Sequence, residues 1–214
     1  LFADIVGSTE LAERLDPEDW RDVVSGVHAL IGAAVHRYGG YIAQLLGDGV
    51  LAFFGAPLAH EDDAERAVRA SLDIVRATEL YGGEPRIRRL APNLQLRIGI
   101  NSGNVVVGNI GSDLRMEYLA IGDTVNLAAR LQTAATPNHI LISENTRRLI
   151  RDLFELQDQG RISVKGKTEP VQTYCVLGLR EASDRASRSG GLTSPLVGRD
   201  REFKTLRRMT GDLL

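Results

Sequence analysis

A short glycine turn between two apolar runs is the feature that most constrains the fold of this chain. Residues 41–46 and 50–54 are joined by Gly47-Asp48-Gly49, a pattern typical of a β-hairpin. Apolar residues at three- and four-residue spacings predict helices on either side of this hairpin, from Ser8 in broken form to about Tyr38 and from Asp62 to about Leu80. The predicted hairpin between two helices excludes an all-helical fold.

The remaining segments continue this alternation. Residues 81–92 contain glycine, two prolines and several arginines, so we predict a surface loop there. We also predict a strand pair of 94–100 with 105–110 and a third helix over 123–134. A strand over 139–142, a helix over 143–150 and closing strands that include 171–177 follow. Helices that alternate with antiparallel hairpins predict an α+β fold, with a mixed or antiparallel sheet covered by helices.

Composition restricts the class of protein further. The 214 residues are 43% hydrophobic, which suits one main domain with an appendage, and the net charge of −2 gives no sign of nucleic-acid or membrane binding. Cys175 is the single cysteine, which excludes an internal disulfide and a cysteine-built metal cluster. The sequence contains no signal peptide and no apolar run of membrane-spanning length. We therefore expect a cytoplasmic location.

Domain boundaries are predicted near the C-terminal end. We predict a main domain over residues 1–178, a polar linker over 179–191 that ends in Ser-Gly-Gly, and the start of a second domain over 192–214. Because the chain opens within a strand and without methionine, we expect this first strand to be truncated.

Two acidic residues are candidates for a metal site. Asp4 interrupts the apolar run at residues 1–6, and Asp48 occupies the hairpin turn. A buried carboxylate is costly unless it is paired or bound to a metal, and in an antiparallel sheet these two positions can lie side by side. Two carboxylates suit Mg²⁺ when substrate phosphates supply further ligands. The alternatives are an ordinary Asp-Gly turn and a helix cap.

Polar residues on the third predicted helix are candidates for phosphate chemistry. Asn126 and Arg130 are four residues apart, so they share one helical face. A fixed guanidinium beside an amide can stabilise charge on a phosphoryl group, although a solvated polar face has the same pattern. Lys165 and Lys167 flank Gly166 in a predicted turn, where an ammonium could reach a phosphate.

Three blocks of the sequence, in this order, resemble the signature blocks of class III adenylyl and guanylyl cyclases. They are Phe2 to Thr9, Leu46 to Gly49, and Ile121 to Arg130. The resemblance covers residues 1–178 and is closest to bacterial forms fused to a large signalling ATPase. It implies a ferredoxin-like βαββαβ core that works as a head-to-tail homodimer, with active sites at the interface.

The resemblance also implies roles for individual residues. Asp4, Asp48 and the Ile5 carbonyl would hold two Mg²⁺ or Mn²⁺ ions. Asn126 and Arg130 would act on the opposite protomer's site, Asn126 on the ribose and Arg130 on the pentavalent phosphorus. The implied reaction is attack of the ribose 3′-hydroxyl on the α-phosphorus, with release of pyrophosphate. Lys165 and Arg115 would contact the terminal phosphates.

Two positions depart from the adenylyl cyclase pattern. Gln44 stands where such enzymes have lysine, and Leu119 stands where they have aspartate or threonine. A glutamine amide can pair with either purine, whereas leucine can only pack. The resemblance favours ATP as substrate, and a guanylate cyclase or a catalytically weak nucleotide-binding module remain alternatives. Residues 195–203 resemble the entry to a signalling ATPase domain.

Overall fold

The structure is a computed structural model that describes residues 1–112, 115–150, 153–164 and 169–180, with the backbone alone described at 109–112 and 115–121. Lys165, most of the predicted linker and the predicted second domain lie outside these ranges. Residues Leu1–Arg180 form one compact unit.

The described part of the chain contains the following strands and helices. The strands are β1 (Phe2–Ile5), β2 (Tyr41–Leu46), β3 (Gly49–Phe53), β4 (Leu96–Ile100), β5 (Val106–Ser112), β6 (Arg115–Ile121), β7 (Ile140–Ser143), β8 (Phe154–Ile162) and β9 (Val171–Leu179). The helices are α1 (Ser8–Arg14), α2 (Pro17–Arg37), α3 (Asp63–Gly83), α4 (Pro85–Leu90), α5 (Asp123–Ala134) and α6 (Glu144–Ile150).

The main sheet has the strand order β2-β3-β1-β4-β7-β9-β8. All of its neighbouring strands are antiparallel except β4 and β7, which are parallel. Together with α2 and α3, the first four strands form a βαββαβ unit with the order β4-β1-β3-β2. This is the predicted ferredoxin-like arrangement, and the α+β fold is therefore confirmed.

Helices cover both faces of this sheet. On α2, Val23, Val27 and Ile31 are fully buried, and they join a core cluster with α3 and strand residues such as Val50 and Ala52. The alternate residues of β3, Leu51 and Phe53, pack instead with residues that include Val125 of α5. Because successive strand residues point to opposite faces, α5 lies on the face opposite to α2 and α3.

Helix α5 packs directly onto the backbone of β4 at Gly99. A Cβ atom at this position would overlap the Gln132 amide nitrogen and the Ala128 carbonyl oxygen, and it would lie 2.8 Å from Gln132 Cα. Glycine is therefore required at this contact. The close approach fixes the position of α5 relative to β4 and its neighbour β1.

The predicted surface loop at residues 81–92 is wrong. Helix α3 continues to Gly83, and α4 follows with Pro85 in its first turn. Ile87 and Ala91 are buried in the main core. The burial of these two residues stabilises a helix, although the arginines and prolines around them are typical of a loop.

The predicted pairing of 94–100 with 105–110 is also wrong. Both edges of β4 are occupied, one by β1 and the other by β7. The following segment, β5, pairs with β6 in a separate two-stranded sheet. Among the described residues, none of the helices is long and apolar enough to span a membrane.

Candidate active site

The fold brings Asp4 and Asp48 together, as the sequence predicts. Asp4 lies on β1, and Asp48 lies in the turn that leads into the neighbouring strand β3. The Ile5 N–H donates a hydrogen bond of 3.3 Å to Asp48 Oδ2, and the two carboxyl groups also hydrogen-bond to each other. Gly49 leaves room for this arrangement, because a Cβ there would lie 3.1 Å from Asp4 Oδ1.

The pair of carboxyl groups has an unusual affinity for protons. Burial, followed by the hydrogen bond and the negative charge of Asp48, raises the pKa of Asp4 to about 7. The Ile5 N–H and the Arg97 guanidinium act in the opposite direction and do not compensate. Two carboxyl groups that hold a proton near neutral pH form a site where a cation can replace that proton.

Arg97 adds a positive charge that the sequence analysis missed. It lies on β4 directly opposite Asp4 on β1, and its buried Nε atom has no hydrogen-bond partner in the described part of the chain. The Arg97 guanidinium acts to lower the raised pKa of Asp4, so it adds positive charge beside the carboxylates, which suits an anionic ligand such as phosphate. The sequence does not reveal that β1 pairs with β4, and only this pairing places Arg97 beside Asp4.

Gln132 is a second residue that the sequence analysis missed. This residue of α5 donates from Nε2 to Asp4 Oδ2 over 3.5 Å. At 100° per residue, Asn126 lies about 120° and Arg130 about 160° around the helix from Gln132. Because Gln132 faces Asp4, these two predicted catalytic side chains project away from the carboxylates of their own chain.

Asn126 and Arg130 lie on one face of α5, turned away from Asp4 of the same chain. Asn126 is exposed. The Nη1 atom of Arg130 is buried and makes no hydrogen bond to any residue that the structure describes. Their position on α5 agrees with the prediction, but the structure does not join them to Asp4 and Asp48.

A hydrogen-bond network anchors the N-terminal end of α5, close to Asn126. Asn101 Nδ2 donates to the Thr124 carbonyl oxygen over 3.0 Å, and the Ser143 hydroxyl donates to Asn101 Oδ1 over 2.6 Å. Thr124 Oγ1 donates to the Asn104 carbonyl oxygen over 2.9 Å. The helix therefore presents Asn126 from a fixed base.

The remaining predicted substrate residues are placed less completely. Gln44 is half-buried on β2 and pairs with Leu51 after a local irregularity in register. Leu119 and Arg115 lie on β6, where their backbones pair with Gly108 and Ser112 of β5. The roles of Gln44, Leu119, Arg115 and Lys165 stay predictions.

The two carboxylates suit a hard cation whose remaining ligands come from the substrate. No group of three or more His, Cys, Asp or Glu side chains suited to a metal occurs among the described residues. Asp4 and Asp48 therefore supply two carboxylates, which is the usual protein share at an Mg²⁺ site completed by water and substrate phosphates. The raised pKa of Asp4 agrees with this fit, because a bound cation would take the place of its proton.

The fold and this pair of carboxylates narrow the class of protein to α+β domains with a donor set suited to a divalent cation. The chain belongs more specifically to the adenylate and guanylate cyclase catalytic domain family, whose sequence model matches residues 1–178.

Known relatives include cyclases of both purine types. Adenylate cyclase 1 of Rhizobium meliloti is 32% identical over 184 residues, which cover 85% of this chain and 28% of that relative. The crystal structure of the adenylyl cyclase CyaB from P. aeruginosa matches with 38% identity and a TM-score of 0.80, covering 84% of this chain and 93% of that one. The guanylate cyclase domain of RhGC from Catenaria anguillulae, in complex with GTP, matches with 32% identity and a TM-score of 0.75, covering 84% and 94%.

The chain spans only part of its full-length relatives. It corresponds to 20% and 28% of the lengths of two curated proteins from Rhizobium meliloti.

Proposed function

We propose that this chain is the catalytic domain of an adenylate cyclase that converts ATP to 3′,5′-cyclic AMP and pyrophosphate. The observation that carries the proposal is the convergence of Asp4 and Asp48: the Ile5 N–H donates to Asp48 Oδ2, and burial together with the second carboxylate raises the pKa of Asp4. Membership of the cyclase family supplies the reaction. The resemblance of the sequence blocks favours ATP, and the similar proteins include adenylyl cyclases as well as guanylyl cyclases.

Asp4, Asp48 and the Ile5 carbonyl would hold two Mg²⁺ or Mn²⁺ ions. Bound there, the ions supply Lewis acidity that favours ionisation of the ribose 3′-hydroxyl and offsets charge on the phosphates. Asp4, whose pKa is raised, must lose its proton before it binds a metal, so metal binding is coupled to proton release.

The active form in this proposal is a homodimer. Asn126 and Arg130 project from α5 away from the carboxylates of their own chain, because Gln132 occupies the side of the helix that faces Asp4. A second copy in head-to-tail orientation would place the Asn126 and Arg130 face against the partner's carboxylates. Such a two-fold arrangement creates two equivalent sites.

Basic and amide side chains of the chain would complete each site. Arg97 lies opposite Asp4 on the neighbouring strand, and its guanidinium would bind a phosphate of the triphosphate group. Asn126 of the second copy would orient the ribose, and Arg130 would stabilise the charge that develops on the phosphorus. Lys165 and Arg115 would contact the terminal phosphates and the departing pyrophosphate.

A guanylate cyclase is the second candidate. A relative of 32% identity has a structure in complex with GTP. Gln44 can donate or accept a hydrogen bond at either purine, and Leu119 offers neither a donor nor an acceptor. These two residues therefore discriminate weakly between adenine and guanine.

The setting of the domain is part of the same proposal. The protein would act in the cytoplasm, and residues 192–214 would begin a signalling ATPase domain that regulates the cyclase dimer. Comparison of the turnover of this fragment with that of the full-length protein would test such regulation, and equal rates in all conditions would exclude it.

Mass spectrometry of the reaction products tests the proposed activity. The purified dimer is incubated with Mg²⁺ or Mn²⁺ and either ATP or GTP. Asp48→Ala is the inactive variant, and Asp19→Ala on α2, whose side chain is 41% exposed and pairs with Arg86, is the matched control. We expect cyclic AMP from the wild type and from Asp19→Ala only. Cyclic GMP as the sole product would identify a guanylate cyclase. Binding of nucleotide without product would favour a regulatory binding module.

A further inference from the structure

Gln132 lies where it can control the geometry of the metal-binding carboxylate Asp4. Its Nε2 atom is 3.5 Å from Asp4 Oδ2, whereas Asp4 Oδ1 is directed towards Gly49 of the hairpin that carries Asp48. The two oxygens of Asp4 thus have different surroundings. Oδ2 faces the amide of Gln132 on the helix, and Oδ1 faces the hairpin that carries Asp48.

The position of the Gln132 backbone is fixed by packing. Its amide nitrogen and Cα lie directly against Gly99 of β4, and β4 is the strand that pairs with β1 at Asp4. Leu131, the preceding residue, is fully buried. The distance from this helical turn to the Asp4 carboxylate is therefore determined by the core of the domain.

The orientation of the amide is also determined by its neighbours. When it binds a metal, Asp4 is ionised and accepts hydrogen bonds only, so the NH₂ group of Gln132 must face it. The amide oxygen then points to Thr133, whose hydroxyl lies 3.4 Å away. A glutamate at position 132 would present no donor to Asp4 and would place a third negative charge beside the pair.

We propose that Gln132 is a positioning residue that holds the Asp4 carboxylate in the orientation required for metal binding. The inference rests on the proposed function. It adds a residue that acts through Asp4, without contact to the substrate. Residues that hydrogen-bond to metal-ligating carboxylates commonly change metal affinity by about 10- to 100-fold when they are replaced.

Mn²⁺ titration followed by electron paramagnetic resonance tests this role without reference to turnover. Gln132→Met removes the donor and nearly keeps the side-chain length, and Gln157→Met changes an exposed glutamine of β8 as the matched control. We expect the dissociation constant for Mn²⁺ to rise about tenfold or more in Gln132→Met and to stay at the wild-type value in Gln157→Met. The Mn²⁺ concentration for half-maximal cyclase activity should rise in parallel.

Thermal unfolding confirms that the variants are folded, and Gln132→Leu serves as a second donor-free variant should Gln132→Met fail to fold. Mn²⁺ affinity within twofold of wild type in a folded donor-free variant, with a wild type that forms cyclic product, would overturn the role of Gln132 alone. A wild-type dimer that binds no Mn²⁺ and forms no product would overturn the proposed function, and the role of Gln132 with it.

Discussion

Replacement of Gly99 by alanine should destabilise the domain and displace the helix that carries Asn126. The new methyl group would overlap backbone atoms of Gln132 and Ala128, and backbone atoms cannot move away by a change of rotamer. Overpacking of this kind costs about 1–3 kcal/mol, and we expect the upper end of that range. In a domain of this size each kcal/mol lowers the unfolding temperature by about 2–4 °C, so Gly99→Ala should unfold about 6–12 °C below the wild type in a calorimetric scan.

Gly178→Ala provides the matched control. Gly178 also lies within a strand, β9, but a Cβ atom there would meet no atom within 4 Å. The control should unfold close to the wild-type temperature and retain nucleotide turnover. Gly99→Ala should unfold at the lower temperature given above and lose turnover. If the two variants unfold within about 1 °C of each other, α5 does not pack on β4 as described, and the anchoring of the site by this contact is refuted.

Three further predictions concern charged residues. Asp48→Asn removes a negative charge beside Asp4 and should abolish turnover. It should also raise the unfolding free energy of the metal-free protein at pH 8 by about 1 kcal/mol, a value reduced for the partial exposure of the pair. An unchanged or lower unfolding free energy in urea would contradict the repulsion between the two carboxylates. Arg97→Met should lower kcat/KM for the nucleotide about 10- to 100-fold, which corresponds to about 1.4–2.7 kcal/mol of transition-state stabilisation. Unchanged values in steady-state kinetics would show that Arg97 does not bind the nucleotide. Glu144 has its pKa lowered to about 2, chiefly by a hydrogen bond from Arg147, so its stabilisation is present above about pH 4.5 and is lost as the pH falls towards 2. The stability difference between wild type and Glu144→Gln should therefore be about 1 kcal/mol at pH 7 and shrink on acidification, and a difference that is independent of pH would disprove the ion pair.

Local sequence patterns were sufficient for most of the secondary structure. The third helix was predicted over residues 123–134, the range of α5, because its apolar residues define one buried face. The hairpin around Asp48 was predicted because glycine-rich turns between apolar runs have few other solutions. The ferredoxin-like strand order came from the family resemblance, since local periodicity carries no information on which strands are neighbours.

The errors and omissions share a physical cause. Helix α4 is stabilised by the burial of Ile87, a tertiary contact that outweighs the loop-like composition around it. The strand at 105–110 pairs with β6 because both edges of β4 are already occupied. Arg97 and Gln132 belong to the site only through contacts with Asp4 across 93 and 128 residues of sequence, and no short motif marks such contacts.

The division of each active site between two protomers is the central claim, and complementation of two inactive variants tests it most directly. Asp48→Ala lacks a metal carboxylate, and Arg130→Ala lacks the residue assigned to the partner's site. Each variant alone should be nearly inactive. In an equimolar mixture half of the dimers should be mixed, each with one intact site of two, so about a quarter of the wild-type activity should return. A mixture that stays inactive although mixed dimers are demonstrated, or substantial activity of Arg130→Ala alone, would contradict the shared site.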